Sequence, residues 1–412
     1  MKKDRQNETI LIRDSELEVN EETSRLKKVL MWGAPGSEAV LAQLLPKKIS
    51  CFESEFNVPD AGIEFVKAKS MLEKHGVDVI SVKDLFAKMI DARGIKPRVG
   101  LDTLKVELKK RGEKYYEKYK DEEGKEGGIS CIGVLDWIDQ MIDRDVVTYG
   151  ESTAIVMNDI LSLQSKSGLP LANVLYARDQ SNLLGKTWVW SSMEHDIRKE
   201  EVGLYKEILH WAGVVKPSEV TEVQVINGKF EGGDGIVHNG ICYIGVGGRT
   251  NLCGVTEVAR AILADGLRVV AVYDGKRTRK EEKEMDAMHF DTFCMPCGKD
   301  KMVICKDEAE RRRFIELTIE DNELKISRRG KFMDHLNESG MELVPLTKYE
   351  QLHYAPNLVN IDDNSVILSL ADENGLTEEL GTAGMNVECA NLKEITKGFG
   401  GLHCMTAAIK RE

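Results

Sequence analysis

The chain has 412 residues, with 57 Lys and Arg against 69 Asp and Glu for a formal net charge of −12. An acidic body of this kind argues against a nucleic-acid or anionic-membrane partner, since both would repel it, and no stretch reaches the roughly 18 consecutive apolar residues of a membrane span. Nine cysteines without framework spacing, and a start from Met1 to Glu8 without an apolar core, predict a cytoplasmic protein with free thiols.

Taken in chain order, the first patterned element is a helix-like run, a glycine and a β-rich run at 72 to 82, and it recurs at 263 to 272, 337 to 346 and 381 to 389. Gly76, Gly266, Gly340 and Gly384 stand where a helix end takes a left-handed residue, and strand-like residues follow each. Four copies imply a repeated helix-then-strand unit and a pseudo-symmetric α/β assembly, strands inside and helices outside, with a central mouth for a ligand. Between 86 and 163 the texture is helical instead: Leu101, Leu104 and Leu108, then Leu135, Ile138, Met141 and Ile142, fall at helical spacing. We read 86 to 163 as a helical insertion into an α/β unit made of 1 to 85 and 164 to 412. The Lys- and Glu-dense stretch from Lys109 to Gly128 reads as a solvated helix and a flexible turn.

Further along, the apolar run Leu169 to Tyr176 predicts a strand with Asp179 at its end. Gly235 to Val246 predicts a hairpin around Asn239-Gly240, and Thr292 to Cys305 another around Gly298 to Asp300. Lys276 to Glu284 is mixed in charge and predicts a solvated loop. Met288 to Phe293 reads as a strand, on which His289 and Asp291, two apart, share one face.

The chemistry-bearing residues are few and compatible. Cys404 follows a glycine stretch, His289 and Asp291 sit in Met-His-Phe-Asp-Thr, and Glu231 and Asp234 flank Gly232 and Gly233, which permit close backbone approach. A cysteine needs a base and charge partners to act as a nucleophile. Carboxylates such as Asp179 and Asp291 suit a guanidinium, which offers planar forked donors and stays charged. Held between them, its central carbon can be attacked by a thiolate while a histidine passes the protons. Cys294, Cys297, Cys305 and His289 form a nominal zinc set, but the spacing along a hairpin favours buried strand thiols, and no metal or cofactor is expected. Gly245-Val-Gly-Gly lacks the order of a phosphate-binding loop.

With these residues in place, the chain resembles the bacterial arginine deiminases of the guanidino-group-modifying superfamily. The likeness runs end to end: Arg25-Leu-Lys-Lys-Val-Leu with Pro35-Gly36, Asn173 six residues before Asp179, Glu-Gly-Gly-Asp at 231 to 234, Arg249-Thr250, Met-His-Phe-Asp-Thr, and Gly-Gly-Leu-His-Cys-Met-Thr at 400 to 406. The resemblance implies a pentein fold, a five-bladed pseudo-symmetric α/β propeller with an inserted helical domain. It also implies hydrolysis of L-arginine to L-citrulline and ammonium through a Cys404 thiouronium. In that reading His289 is the general acid and base, Glu231 its partner, Asp179 and Asp291 the guanidinium clamp, and Asn173, Arg198 and Arg249 the holders of the amino-acid end. One position departs, because Phe399 stands where many of these deiminases carry an arginine, five residues before the cysteine. The alternatives left open are an amidinotransferase, a dimethylarginine-type hydrolase, or a non-catalytic guanidino binder. The expected partners are a small guanidino molecule and further copies of the chain, with no nucleic acid and no membrane.

Overall fold

In a computed structural model describing residues 17–121, 131–274, 288–370 and 375–412, seventeen strands form five sheets, and one pairing pattern recurs in all five. In the first sheet, β1 (Leu26–Met31) runs parallel to β2 (Asp78–Ser81). In the second, β3 (Ser181–Leu184) pairs antiparallel with β4 (Thr187–Trp190), which runs parallel to β5 (Thr221–Gln224). The third repeats this with β6 (Gly235–His238), β7 (Ile241–Val246) and β8 (Arg268–Asp274). The fourth does so with β9 (Cys294–Pro296) and β10 (Lys301–Cys305). Before its third strand the chain adds β11 (Arg312–Glu320) and β12 (Glu323–Lys331) to the open edge of the third sheet. The fourth sheet's third strand is β13 (Glu342–Leu346), and the fifth sheet is β14 (Val359–Asp362), β15 (Ser365–Leu368) and β16 (Asn386–Cys389). Last, β17 (Ala407–Arg411) returns antiparallel to β1, with Leu26 opposite Arg411, and completes the first sheet.

The unit is therefore a hairpin, a crossover carrying a helix, and a parallel third strand. The sheets follow one another in a ring: β3 lies against β17 and β6, and β14 against β1. Asn360 on β14 reaches the fourth sheet, donating to the Pro296 carbonyl at 2.9 Å and accepting from the Gly298 N–H at 3.1 Å.

The glycine pattern read from the sequence explains the third strands. Gly76, Gly266, Gly340 and Gly384 have φ of +78°, +85°, +73° and +84°. In each case the strand begins two residues later. A fifth copy exists that the repeat did not reveal: Gly213, at φ +65°, follows the helix Lys199–Trp211, but β5 starts only at Thr221, and the intervening residues hide the period. The hairpins form where the sequence places them, and Asn239 (φ +50°) and Gly240 (φ +70°) make a two-residue turn of the kind Asn-Gly favours.

Four helices, Val82–Arg93, Leu101–Tyr119, Cys131–Tyr149 and Glu151–Ser162, occupy the stretch that includes 86 to 163. Leu104, Leu108, Ile138 and Ile142 are wholly buried, and the buried Lys83 ammonium donates to both oxygens of Asp145 at 3.0 Å, binding the first of these helices to the third. The glycine-rich end of the Lys109 to Gly128 stretch and the Lys276 to Glu284 run lie outside the described residues.

Two predicted strands are not strands. Residues 290 to 292 form a 3-10 turn, because Thr292 bonds back to the His289 carbonyl through its hydroxyl (2.6 Å) and its N–H (3.2 Å). The run Leu169 to Tyr176 has no ladder partner: the Leu171 N–H goes to the Leu161 carbonyl and the Asn173 N–H to the Glu201 carboxylate. Asp179 thus sits in the one-turn helix Ala177–Gln180 and precedes β3, where the sequence reading had it ending a strand.

Candidate active site

Each sheet's first strand is preceded by a short turn, and these turns hold the chemistry-bearing residues. Asp179 precedes β3, Glu231 precedes β6, His289 and Asp291 precede β9, and Cys404, in the turn of helix Leu402–Met405, precedes β17. Residues remote in sequence thus converge because the five units repeat around a ring. All are buried, none more than 3% exposed.

Two subclusters result. In one, the Cys404 sulfur lies 3.9 Å from Asp291 Oδ2. That oxygen also accepts from His403 Nδ1 at 2.6 Å and Asn357 Nδ2 at 3.3 Å. In the other, His289 Nε2 donates to Glu231 Oε2 at 3.0 Å, while its Nδ1 faces Asp179 Oδ1 at 3.7 Å. Asp179 Oδ1, Asp291 Oδ1 and His289 Nδ1 have no hydrogen-bond partner among the described residues. His403 and Asn357 were given no role from the sequence. His403 lies inside the quoted Gly-Gly-Leu-His-Cys-Met-Thr motif, whereas Asn357 lies in no motif and becomes visible only as the residue ahead of β14.

The three groups expected to hold the far end of a substrate are also buried here, but differently engaged. Arg198 donates to Asp179 Oδ2 at 2.7 Å and to Glu201 Oε2 at 3.1 Å, so it is part of the carboxylate cluster. Arg249 makes one long contact to Glu231 Oε2, at 3.5 Å, and lies 4.0 Å from the Met288 sulfur. Asn173 turns its amide to the Ser50 carbonyl at 2.8 Å. Phe399 holds a left-handed backbone, φ +72°, and packs with Met288, Tyr354, Leu352 and Leu370 in a small apolar cluster apart from the main cores.

The electrostatics follow from burial and neighbours. Burial penalises charge on His289, but Asp179, the bond to Glu231 and Asp234 outweigh it and raise its pKa to about 9. Burial also opposes charge on Glu231, and Arg249, His289 and Arg198 together hold its carboxyl well below the usual range. Burial, then the charges of Asp291 and Asp179, push the Cys404 thiol well above its ordinary value. Asp234 is raised by burial to about 7. His289 binds its proton more tightly folded than unfolded. Its stabilising contribution is full below about pH 6.5 and lost as pH rises through about 9. Thermal melts of the native protein should therefore weaken across that window, and His289→Gln should flatten the dependence; a native profile as flat as the variant's would rule out the charged pair.

The glycines beside Glu231 serve a steric need. A Cβ on Gly233 would stand 2.7 Å from His289 Nδ1 and 3.2 Å from Asp179 Oδ1. Gly233→Ala should lower turnover about 100-fold by displacing the imidazole, with little loss of folded protein; wild-type rates would show that the ring position is not critical. Gly245, part of the glycine cluster in the sequence, leaves room for Asp234, whose Oδ1 would meet a Cβ there at 2.2 Å.

Asp179, Glu231 and His289 each present a potential metal-ligand atom within 4.8 Å of one another. Arg198, 2.7 Å from Asp179 and 3.8 Å from Glu231, and Arg249 already balance this charge and oppose a divalent cation. Cys294 and Cys297 are buried thiols; burial raises Cys297 to about 12, and its sulfur packs 3.5 Å from that of Met385. His289 is tied to Glu231, away from a zinc-like arrangement with them.

The five repeated units and their ring define a pentein fold. Among solved structures the chain is similar to SxtG, an amidinotransferase from Microseira wollei (TM-score 0.57, 13% identity, 97% of this chain and 98% of that one). It is also similar to the dimethylarginine dimethylaminohydrolase of Pseudomonas aeruginosa complexed with citrulline (TM-score 0.53, 14% identity, 93% and 99%). More particularly, the arginine deiminase family model matches residues 51–411, and the chain belongs to that family. It is 23% identical to the arginine deiminase of Rhodococcus erythropolis over 96% of its own length and 98% of that relative. With the Mycobacterium marinum arginine deiminase it shares 26% identity over 259 residues, a match spanning 61% of the relative. No described helix is long and apolar enough to cross a membrane.

Proposed function

We propose that this protein hydrolyses L-arginine to L-citrulline and ammonium. The observation that carries the reading is the pair of buried carboxylate oxygens without a hydrogen-bond partner among the described residues, Asp291 Oδ1 on the carboxylate beside Cys404 and Asp179 Oδ1 beside His289. A guanidinium supplies the N–H donors they lack. Its charge offsets the share of the Cys404 shift that Asp179 and Asp291 impose, so binding the substrate favours loss of the thiol proton.

The sulfur then bonds to the guanidinium carbon, and His289 gives a proton to one terminal nitrogen as that C–N bond breaks and ammonia leaves. His289, now neutral, takes a proton from water, whose oxygen bonds to the thiouronium carbon. The C–S bond breaks, returning Cys404 as thiolate, and the proton left on the new oxygen passes to the ammonia released earlier, so the products are the ureido compound and ammonium. Glu231 holds the imidazole and favours its charged form. We assign Arg249 and Asn173 to the amino-acid end, with Asn173 leaving its bond to the Ser50 carbonyl to do so, and Arg198 fixes Asp179. We assign 86 to 163 as an insertion, since none of these groups lies in it, with 1 to 85 and 164 to 412 as the catalytic unit.

Phe399 favours a second reading: the same chemistry on a guanidino compound other than arginine, because Phe399 and its apolar cluster, in place of a further arginine, border Met288 and Arg249. Both readings are tested by incubating the protein with arginine, agmatine, guanidinoacetate and methylated arginines, with and without an amine acceptor, and identifying products. Citrulline and ammonium from arginine support the first, turnover confined to another compound supports the second, and a new guanidino product marks a transferase. No product from any of them overturns both.

A further inference from the structure

We infer that Asn357 is a catalytic residue of this site, its side-chain amide donating a hydrogen bond to the reacting sulfur and to the Asp291 carboxylate together. This rests on the proposed role of Cys404 as nucleophile. Asn357 Nδ2 lies 3.1 Å from Cys404 Sγ and 3.3 Å from Asp291 Oδ2, and the residue is 1% exposed.

The orientation of the amide is fixed by its other end. Asn357 Oδ1 accepts from the backbone N–H of His403 at 3.0 Å and of Cys404 at 3.3 Å. Two donors on one side require the oxygen there, so the NH₂ group must face the sulfur, which can accept, and the carboxylate, which only accepts. The surroundings lock this in place. Ser369 Oγ donates to the Asn357 carbonyl and accepts from the Leu402 N–H at 2.8 Å. Gly401 has no side chain where a Cβ would stand 2.6 Å from Asn357 Oδ1 and 2.4 Å from Ser369 Oγ. The cysteine turn is thus docked onto Asn357 at three points.

The ring gives the same assignment independently. Asn357 occupies in the fifth unit, ahead of β14, the place held by Asp179, Glu231, Asp291 and Cys404 in the other four. Around Cys404, burial and two carboxylates favour the neutral thiol, while the Gly401 backbone and the Asn357 amide are hydrogen-bonding groups that favour the charged sulfur. The donation also persists when the thiolate leaves the thiouronium carbon, as it holds the departing charge.

The test uses Asn357→Asp and Asn357→Ala in the full chain. Asn357→Asp keeps the acceptor for the two backbone N–H groups and removes the donor but adds a charge beside Asp291, whereas Asn357→Ala removes the donor without a charge, so a loss common to both reports the donation. For each, kcat and KM are measured on whichever guanidino compound the native protein turns over, and thiol ionisation is read from the pH dependence of alkylation by iodoacetamide, with Cys404→Ser as blank. Expected are a fall in kcat of about 100-fold or more, KM within about threefold, and a Cys404 alkylation profile shifted to higher pH. If both variants fold and keep native kcat and ionisation, or if the loss is confined to KM, the inference fails. Should Asn357→Ala melt below the assay temperature, Asn357→Ser, which adds no charge, takes its place. Native protein without turnover and without alkylation at Cys404 would instead overturn the underlying reading of the site.

Discussion

Cys404→Ala should lose turnover by about 10⁵-fold or more, since removing a nucleophile leaves only what binding and positioning achieve. The residue is 3% exposed, its contacts are to Asn357 and Asp291, and alanine fits the space, so the variant should fold and bind a guanidinium between Asp179 and Asp291. Acid-quenched native protein mixed with substrate should carry a covalent adduct of the amidino carbon on Cys404, seen by mass spectrometry, and the variant should carry none. Turnover by the variant within a few-fold of native would move the covalent step elsewhere and sink the mechanism. Loss of substrate binding along with turnover would mean that Cys404 supports the clamp instead of attacking its contents.

His289→Gln should lower turnover by about 10³-fold, the scale on which a positioned acid and base acts. The imidazole takes part twice, protonating the leaving nitrogen and then activating water, and a glutamine amide can do neither at a useful rate. If the second half-reaction suffers more, the variant should accumulate the Cys404 adduct. Glu231→Gln, which removes the partner 3.0 Å from Nε2, should act more mildly and pull the alkaline limb of the pH profile downward, because part of what raises His289 to about 9 is that bond. An unchanged limb in Glu231→Gln would make the pair structural.

The fold was legible where a local rule had a local cause. The glycines at 76, 266, 340 and 384 are left-handed residues between helix and strand, and Asn239-Gly240 turns a hairpin by its own conformational preference. Legibility failed where tertiary partners decided the backbone. Phe290 gives its N–H to the Asp234 carboxylate at 2.9 Å, and Leu169 to Tyr176 spends its hydrogen bonds on a helix end and on Glu201, so β-like side chains there make no ladder. For the site, residue chemistry named the kit, and the resemblance to a family assigned the roles. Asn357 was invisible because a single asparagine in Ala-Pro-Asn-Leu-Val-Asn carries no signature. Its meaning comes from register in the ring, which no linear pattern displays.

The pairing of β1 with β17 has a kinetic consequence. Leu26 and Arg411 face each other across it, so the first sheet closes a loop that contains nearly every other residue described, and such long-range contacts are slow to form because so much chain entropy must be lost first. The turn holding Cys404 ends just before β17. Activity should therefore return later in refolding than the circular dichroism of the hairpins and helices, which rapid-mixing assays of both would show.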